Sequence, residues 1–229
     1  IMEIAFGGLD RNVYLLNANG TVRYYYNAAD TVFSSAAFVN VDNDRNLELI
    51  IGTDISSNTR IRPRAFNGGH VIALKTTPRL RKNPVIGFRD RRWLVWETYL
   101  DQVVQSSPTV ADIFPAVPGL EIAIGTGCFF PQKSSLKSGR YVAIINAQTG
   151  AVLQRLLSPT CSSSSPAVGD IDNDGQLEVV SMTNGSLSVG GDNQARVIAW
   201  DPENPHPKWI TTPFVRGMND TYLGSFQSP

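Results

Sequence analysis

The stretch "GDIDNDGQLEVV", residues 169–180, sets Asp170, Asp172 and Asp174 at alternate positions, then Gly175, then Glu178 ahead of a β-branched run. Calcium takes about 6–8 hard oxygen ligands at short range, and a tight loop with alternate carboxylates can aim them at one centre. In that reading the three aspartates hold positions 1, 3 and 5, the backbone carbonyl of Gln176 holds position 7 and Glu178 holds position 9. Gly175 permits the sharp turn. An EF-hand would need a Glu at position 12 and flanking helices; Ser181 stands there, inside a predicted strand. The spacing therefore predicts a calcium loop between strands. The plainer alternative is a surface turn, because Asp and Asn hydrogen-bond their own backbone.

Two further stretches repeat the pattern by degrees. "NVDNDRNLE" keeps oxygen donors at Asn40, Asp42, Asp44, Asn46 and Glu48, but Arg45 replaces the glycine. A weaker site, or an arginine turned outward, is expected there. "ADIFPAVPGLE" retains only Asp112 and Glu121, with apolar and proline residues between. That loop is expected to have lost its metal and to hold its shape by proline stiffness.

These loops must be carried by a scaffold, and the chain is large enough to build one. Its 229 residues are 42% hydrophobic, with 20 basic and 20 acidic side chains, so a soluble globular protein with no overall field for nucleic acid or anionic membrane is expected. No run approaches the ~20 apolar residues of a membrane span. The opening "IMEIAFGG" reads as a strand and the closing "LGSFQSP" as the start of another repeat, so the chain is expected to be a slice of a longer precursor.

Short stretches such as "HVIAL", "YVAII" and "RVIAW" are bounded by Gly, Asn, Pro and Ser, as strands would be. No apolar 3.6-residue period is long enough for a helix. The repeat is direct: "SSAAFVNVDNDRNLELIIGT" starts at 34, "SSPTVADIFPAVPGLEIAIGTG" at 106 and "SSPAVGDIDNDGQLEVVSMTNG" at 164. Counted from the Leu-Glu or Glu-Ile strand, four units cover 1–47, 48–120, 121–177 and 178–229. Each has the length of a four-stranded antiparallel sheet, which needs neighbours to cover its apolar faces. A solenoid requires closely superposed coils, whereas a propeller absorbs variable lengths in loops. The expectation is an all-β propeller with about four blades present.

"SSPAVGDIDNDGQLEVV" resembles the FG-GAP or VCBS type of repeat found in the N-terminal propeller of integrin α chains and in many secreted proteins. The resemblance covers the whole chain in four units, with the full motif only at 170–178. It implies a seven-bladed propeller, calcium in loops on one face, and ligand recognition on the opposite face or at the edges. A second resemblance is to quinoprotein-like propellers. "AIINAQTGAVLQRL" is similar to their Ala-x-Asp-x-x-Thr-Gly-x-x-x-Trp element, with Asn146 for the Asp and no Trp, while "AWDPENPHPKW" has Asp201 and Trp209 without the Thr-Gly. With no constellation for a quinone, this similarity bears on fold rather than on redox chemistry.

Catalytic signals are sparse. His70 in "NGGH" and His206 between prolines read as solvated turn residues, and no GxSxG or GxxxxGK motif is present. The expectation is a non-catalytic module. A carbohydrate-active or quinone-dependent enzyme and a structural component of a surface assembly or filament are the alternatives from other classes.

Cys128 follows the "EIAIGTG" strand and Cys161 precedes "SSSSPAVGD", so a bridge closing that loop is expected, against two unpaired thiols. With calcium it places the protein outside the cell, secreted or at the cell surface. Sequons at Asn19, Asn184 and Asn219 allow glycosylation. The segment 75–96 carries Arg79, Arg81, Lys82, Arg89, Arg91 and Arg92 with Trp93 and Trp96. It reads either as a basic loop for an acidic glycan or protein, with Arg89, Arg91, Arg92 and Trp93 as contacts, or as a solvated insertion whose tryptophans complete a blade.

Overall fold

The structure is a computed structural model and describes residues 3–28, 30–55, 68–77, 85–87, 89–128, 139–183 and 194–212. Every regular element among them is a strand. The first sheet joins β1 (Glu3–Gly7), β2 (Asn12–Asn17) and β3 (Val22–Asn27). The second follows with β4 (Ala37–Val39), β5 (Glu48–Ile55) and β6 (Gly68–Leu74). The short β7 (Val85–Ile86) then returns to lie parallel to β3 at the edge of the first sheet, and β8 (Leu94–Leu100) completes the second. The third sheet holds β9 (Thr109–Ala111), β10 (Glu121–Gly125), β11 (Tyr141–Asn146) and β12 (Val152–Leu157). The fourth holds β13 (Ala167–Gly169), β14 (Glu178–Met182), β15 (Val197–Trp200) and β16 (Trp209–Thr211). Sheets two to four each begin with the short strand after a Ser-Ser pair, one strand earlier than a count from the Leu-Glu strands.

The sheets stack in chain order, and one apolar cluster lies at each junction. Val13, Leu15, Tyr24 and Tyr26 meet Leu49, Ile51, Ile72 and Leu74 between the first two sheets. Ile50, Ala73 and Trp96 meet Ile122, Ile124 and Ile145 between the second and third. Ala123, Val142 and Ile144 meet Val179, Ile198 and Trp200 between the third and fourth. Sandwiching explains the residue patterns. β5, β10 and β11 are buried on both faces and read as continuous runs such as "EIAIG", whereas β1 alternates because only one face is covered. Each Leu or Ile taken fully out of water stabilises the stack by roughly 1.5–3 kcal/mol.

The serine pairs tie neighbouring sheets near their first strands. The Ser35 amide donates to Ser107 Oγ (3.0 Å), and the Ser107 amide donates to Ser165 Oγ (2.8 Å). Their partners brace the next strand: Gly52 N–H donates to Ser34 Oγ, and Gly125 N–H to Ser106 Oγ. A register shift recurs at one position in three sheets, between Leu15 and Leu16, Ala73 and Leu74, and Ile144 and Ile145. Repetition of a bulge at equivalent positions marks it as part of the unit's design. Cys128 and Cys161 form a disulfide with Cα atoms 5.5 Å apart, joining the end of β10 to the connection entering the fourth sheet.

Candidate metal centre

Two loops bring acidic groups together at the connection between the first and second strands of a sheet. Asp170, Asp172 and Asp174 place one carboxylate oxygen each within 4.8 Å of one another, and Asp42, Asp44 and Glu48 do the same. The local chain folds around its own acids. Asp170 accepts the amides of Asn173 (2.6 Å), Asp174 (3.1 Å) and Gly175 (3.0 Å), while Asp174 accepts that of Gln176 (2.8 Å). Gly175 takes φ 89°, a left-handed conformation that favours glycine. In the earlier loop the left-handed residue is Asn43 (φ 60°), matched by Asn173 (φ 65°), and Arg45 stays out of that region with its side chain exposed.

Position 9 has a second job that the spacing alone did not reveal. Glu48, Glu121 and Glu178 are each 2% exposed or less, and each turns one oxygen back onto its loop. Glu48 accepts the Val41 amide (3.1 Å), Glu178 the Ile171 amide (2.9 Å), and Glu121 those of Ile113 (2.9 Å) and Phe114 (3.0 Å). The glutamate is therefore a clamp in all three loops, including the one that keeps only Asp112 beside it. Burial pushes the Glu48 and Glu121 carboxyls up from their ordinary value, against these amide bonds. Asp44 is held below its usual range, chiefly by the Asn46 amide.

The loops differ in what faces them. Lys208, entering β16, places its Nζ 2.5 Å from Asp172 and 3.1 Å from Glu178. An ammonium thus sits where positions 3 and 9 would share a cation, and its pKa is raised first by Asp172 and then by Glu178. Among the described residues no lysine forms an ion pair with the 40–48 loop, although the charge of Lys75 bears on Asp44 and Glu48; there Asn40 donates to the Asp44 carbonyl (2.7 Å). The Asn40 Oδ1 is buried without a hydrogen-bond partner. That oxygen, with Asp42, Asp44 and Glu48, forms a hard donor set of the kind calcium takes. Both loops fit the ion by ligand chemistry. Gln176 lies exposed at the rim of its loop, and Asn46 bonds Asp44 through both its amide and side chain. Asp112 is exposed and joins no acidic cluster among the described residues.

Other singled-out residues fall elsewhere. Arg89 holds Glu97 through Nε (2.7 and 3.1 Å), and Arg92 holds Asp90 (2.6 Å). Arg91 is exposed and shares with Arg89, Leu94, Val95 and Glu97 an open cavity of about 540 Å³. Trp93 packs half-buried against the first junction, and Trp96 is buried in the second. Arg79, Arg81 and Lys82 lie outside the described residues, as do Asn184 and Asn219. Asn19 is exposed in a turn, its Oδ1 accepting the Thr21 amide (3.1 Å). His206 is exposed, as expected of a solvated turn residue. His70 is not: it lies within β6, 3% exposed, with Nδ1 against the Glu97 carboxylate and its ring edge-on to Tyr99. The Gly-Gly before it is strand rather than turn. Burial tends to raise the Glu97 carboxyl, but His70 and Arg89 together hold it below its ordinary value. Asn146 serves turn chemistry, its Oδ1 accepting the amides of Gln148 and Thr149.

No protein-family model matches the chain, and no curated protein matches it. Solved structures do. The biofilm matrix protein Bap1 of V. cholerae matches 92% of this chain at 12% identity with a TM-score of 0.54. BBS1N, solved in complex with ARL6DN, matches 92% at 13% identity with a TM-score of 0.50, and BamB from Moraxella catarrhalis matches 92% at 13% with 0.46. The chain spans 26% of the Bap1 chain, 49% of BBS1N and 50% of BamB. Identities this low bear on fold alone. The four packed four-stranded sheets, each joined to the next by an apolar cluster, are blades of a β-propeller.

Proposed function

We propose that this chain is a calcium-stabilised propeller module of the FG-GAP or VCBS type, acting outside the cell as a non-catalytic binding or adhesion unit for protein or glycan. The observation that carries the reading is the convergence of three carboxylates in each of two equivalent inter-strand loops. The residues that would hold calcium are Asn40, Asp42, Asp44, Asn46 and Glu48 in one blade, and Asp170, Asp172, Asp174, Gln176 and Glu178 in another. A bound ion supplies charge neutralisation, which lets crowded carboxylates pin the connection between two strands. The buried disulfide supports an oxidising compartment. The exposed basic rim at Arg91 and Arg92 supports an acidic glycan or protein as ligand.

The test is binding of the purified chain to an array of sulfated, sialylated and neutral glycans, with calcium and with chelator. Calcium-dependent retention on acidic glycans that falls in an Arg91→Ala, Arg92→Ala variant supports the reading. Retention indifferent to both calcium and those arginines contradicts it.

A further inference from the structure

The junction between the first two blades differs from the other two in one respect: it sets a cation on each side. On the strand facing the recurrent bulge, the residue skipped by the register is Arg23 in the first blade, and Val95 and Leu153 in the second and third. In the acidic loops, the position three before the clamping glutamate is Arg45 in the second blade, and Pro118 and Gly175 in the third and fourth. Arg23 and Arg45 meet at one junction, where both line an open cavity of about 470 Å³. Sites for small ligands span roughly 300–1,000 Å³. Both walls of this cavity come from consecutive blades of the chain itself.

The two guanidiniums are differently engaged. Arg23 pairs with Glu3, the first-blade counterpart of the clamping glutamates, as Lys208 pairs with Glu178 in the fourth blade. Arg45 forms no ion pair among the described residues, although Asp42, Asp44 and Glu48 stand in its own loop. A guanidinium serving the loop would pair with one of them; this one lines the cavity instead, which none of those three acids does. The lining therefore sets one carboxylate, that of Glu3, against two guanidiniums, an excess of one positive charge. The remaining wall is held in place. Thr76, 3% exposed, donates to the Leu47 carbonyl (2.6 Å), and Phe38 is half-buried against the core of the first junction. Leu47, 49% exposed, and the exposed Thr77 complete it.

We propose that this cavity binds a carboxylate-bearing sugar, a uronic acid residue within a saccharide. A carboxylate takes the planar fork of a guanidinium through two parallel hydrogen bonds. Arg45 is the free fork, and Arg23 adds charge beside it. The hydroxyls of Thr76 and Thr77 match sugar hydroxyls, and Phe38 with Leu47 matches the apolar face of a sugar ring. The inference rests on the reading of the chain as a ligand-binding module, and it locates an acidic saccharide at a different place from the Arg91 and Arg92 rim. A calcium ion on the 40–48 loop offsets the negative charges of Asp42, Asp44 and Glu48 beside the cavity, so each ligand is expected to tighten the other.

The experiment is calorimetric titration of the full chain with a tetrasaccharide of glucuronate alternating with N-acetylglucosamine, and with its carboxyl-reduced counterpart, in calcium and in chelator. The wild type is expected to bind the acid form, more tightly in calcium, and the reduced form about tenfold or more weakly. Arg45→Gly, which installs the residue found at the matching place in the 170–178 loop, is expected to lose about tenfold or more in affinity for the acid form with its melting temperature unchanged. Arg45→Gln, which keeps the stem and removes the charge, is expected to do the same, and Arg91→Ala, Arg92→Ala to bind as the wild type does. No binding of the acid form by about 10 mM, equal binding of the reduced form, or Arg45 variants that bind as the wild type does overturns the proposal. A loss confined to the Arg91→Ala, Arg92→Ala variant overturns it as well, by moving the anion to the rim. Calcium is read by its own heat, so uronate binding without any calcium heat upholds the cavity and contradicts only the calcium loop.

Discussion

The ammonium of Lys208 lies 3.1 Å from the buried carboxylate of Glu178, bridging the edge strand of the fourth blade to its acidic loop across 30 residues of chain. A divalent ion entering that loop must displace this built-in cation. Lys208→Met is therefore expected to raise the calcium affinity of the 170–178 loop about tenfold or more, a difference of about 1.4 kcal/mol or greater. Calorimetry in an Asp42→Ala, Asp44→Ala background isolates the loop, and an unchanged affinity would show that the lysine is a bystander.

Glu121 clamps two amides in a loop that keeps no metal cluster. Glu121→Ala leaves the Ile113 and Phe114 amides without their acceptor, at a cost of about 2–3 kcal/mol. Denaturant unfolding should show that loss while the calcium titration stays as in the wild type. A titration that lost a binding event would mean that this loop also carries an ion.

The disulfide closes a 33-residue separation. On the chain-entropy model its removal costs about 3–4 kcal/mol. Equilibrium unfolding of a Cys128→Ser, Cys161→Ser variant measures this, and a loss below about 1 kcal/mol would argue that the flanking blades already hold the connection.

Asp54, buried at the end of β5, accepts hydrogen bonds from Gln105 (3.1 Å) and Thr31 (3.3 Å), yet burial dominates and pushes its pKa from 3.8 to about 6. The folded state therefore binds the proton more tightly than the unfolded chain. Its contribution is fully present below the ordinary value and is lost as pH rises through about 6, on the order of 3 kcal/mol in all. The melting temperature of the wild type relative to Asp54→Asn should fall between about pH 4 and pH 7. A constant difference across that window would contradict the assignment.

Strands, repeat and acidic loops were all legible in the sequence, because each is written in local spacing: β-branched runs, a Ser-Ser pair, aspartates at alternate positions. The missed features are held by partners distant in the chain. Lys208 meets Asp172 across 36 residues, and His70 becomes a buried strand residue because β8 brings Glu97 and Tyr99 to it. The clamping role of Glu178 was hidden because its position in the spacing already fitted a ligand. The phase of the blades was likewise obscured, since the short first strands such as Ala37–Val39 carry little pattern of their own and are recognised only by pairing with β5. In hindsight the Ser-Ser pairs gave the blade starts.

The most direct test of the central claim is a calcium titration of the chelator-treated chain by calorimetry, beside Asp172→Ala, Asp174→Ala and Asp42→Ala, Asp44→Ala variants. The account predicts binding in the wild type, loss of one event in each double variant, and a higher melting temperature with calcium than with chelator. No heat of binding, together with a melting temperature indifferent to chelator, would make both loops plain acidic turns and remove the calcium from the propeller.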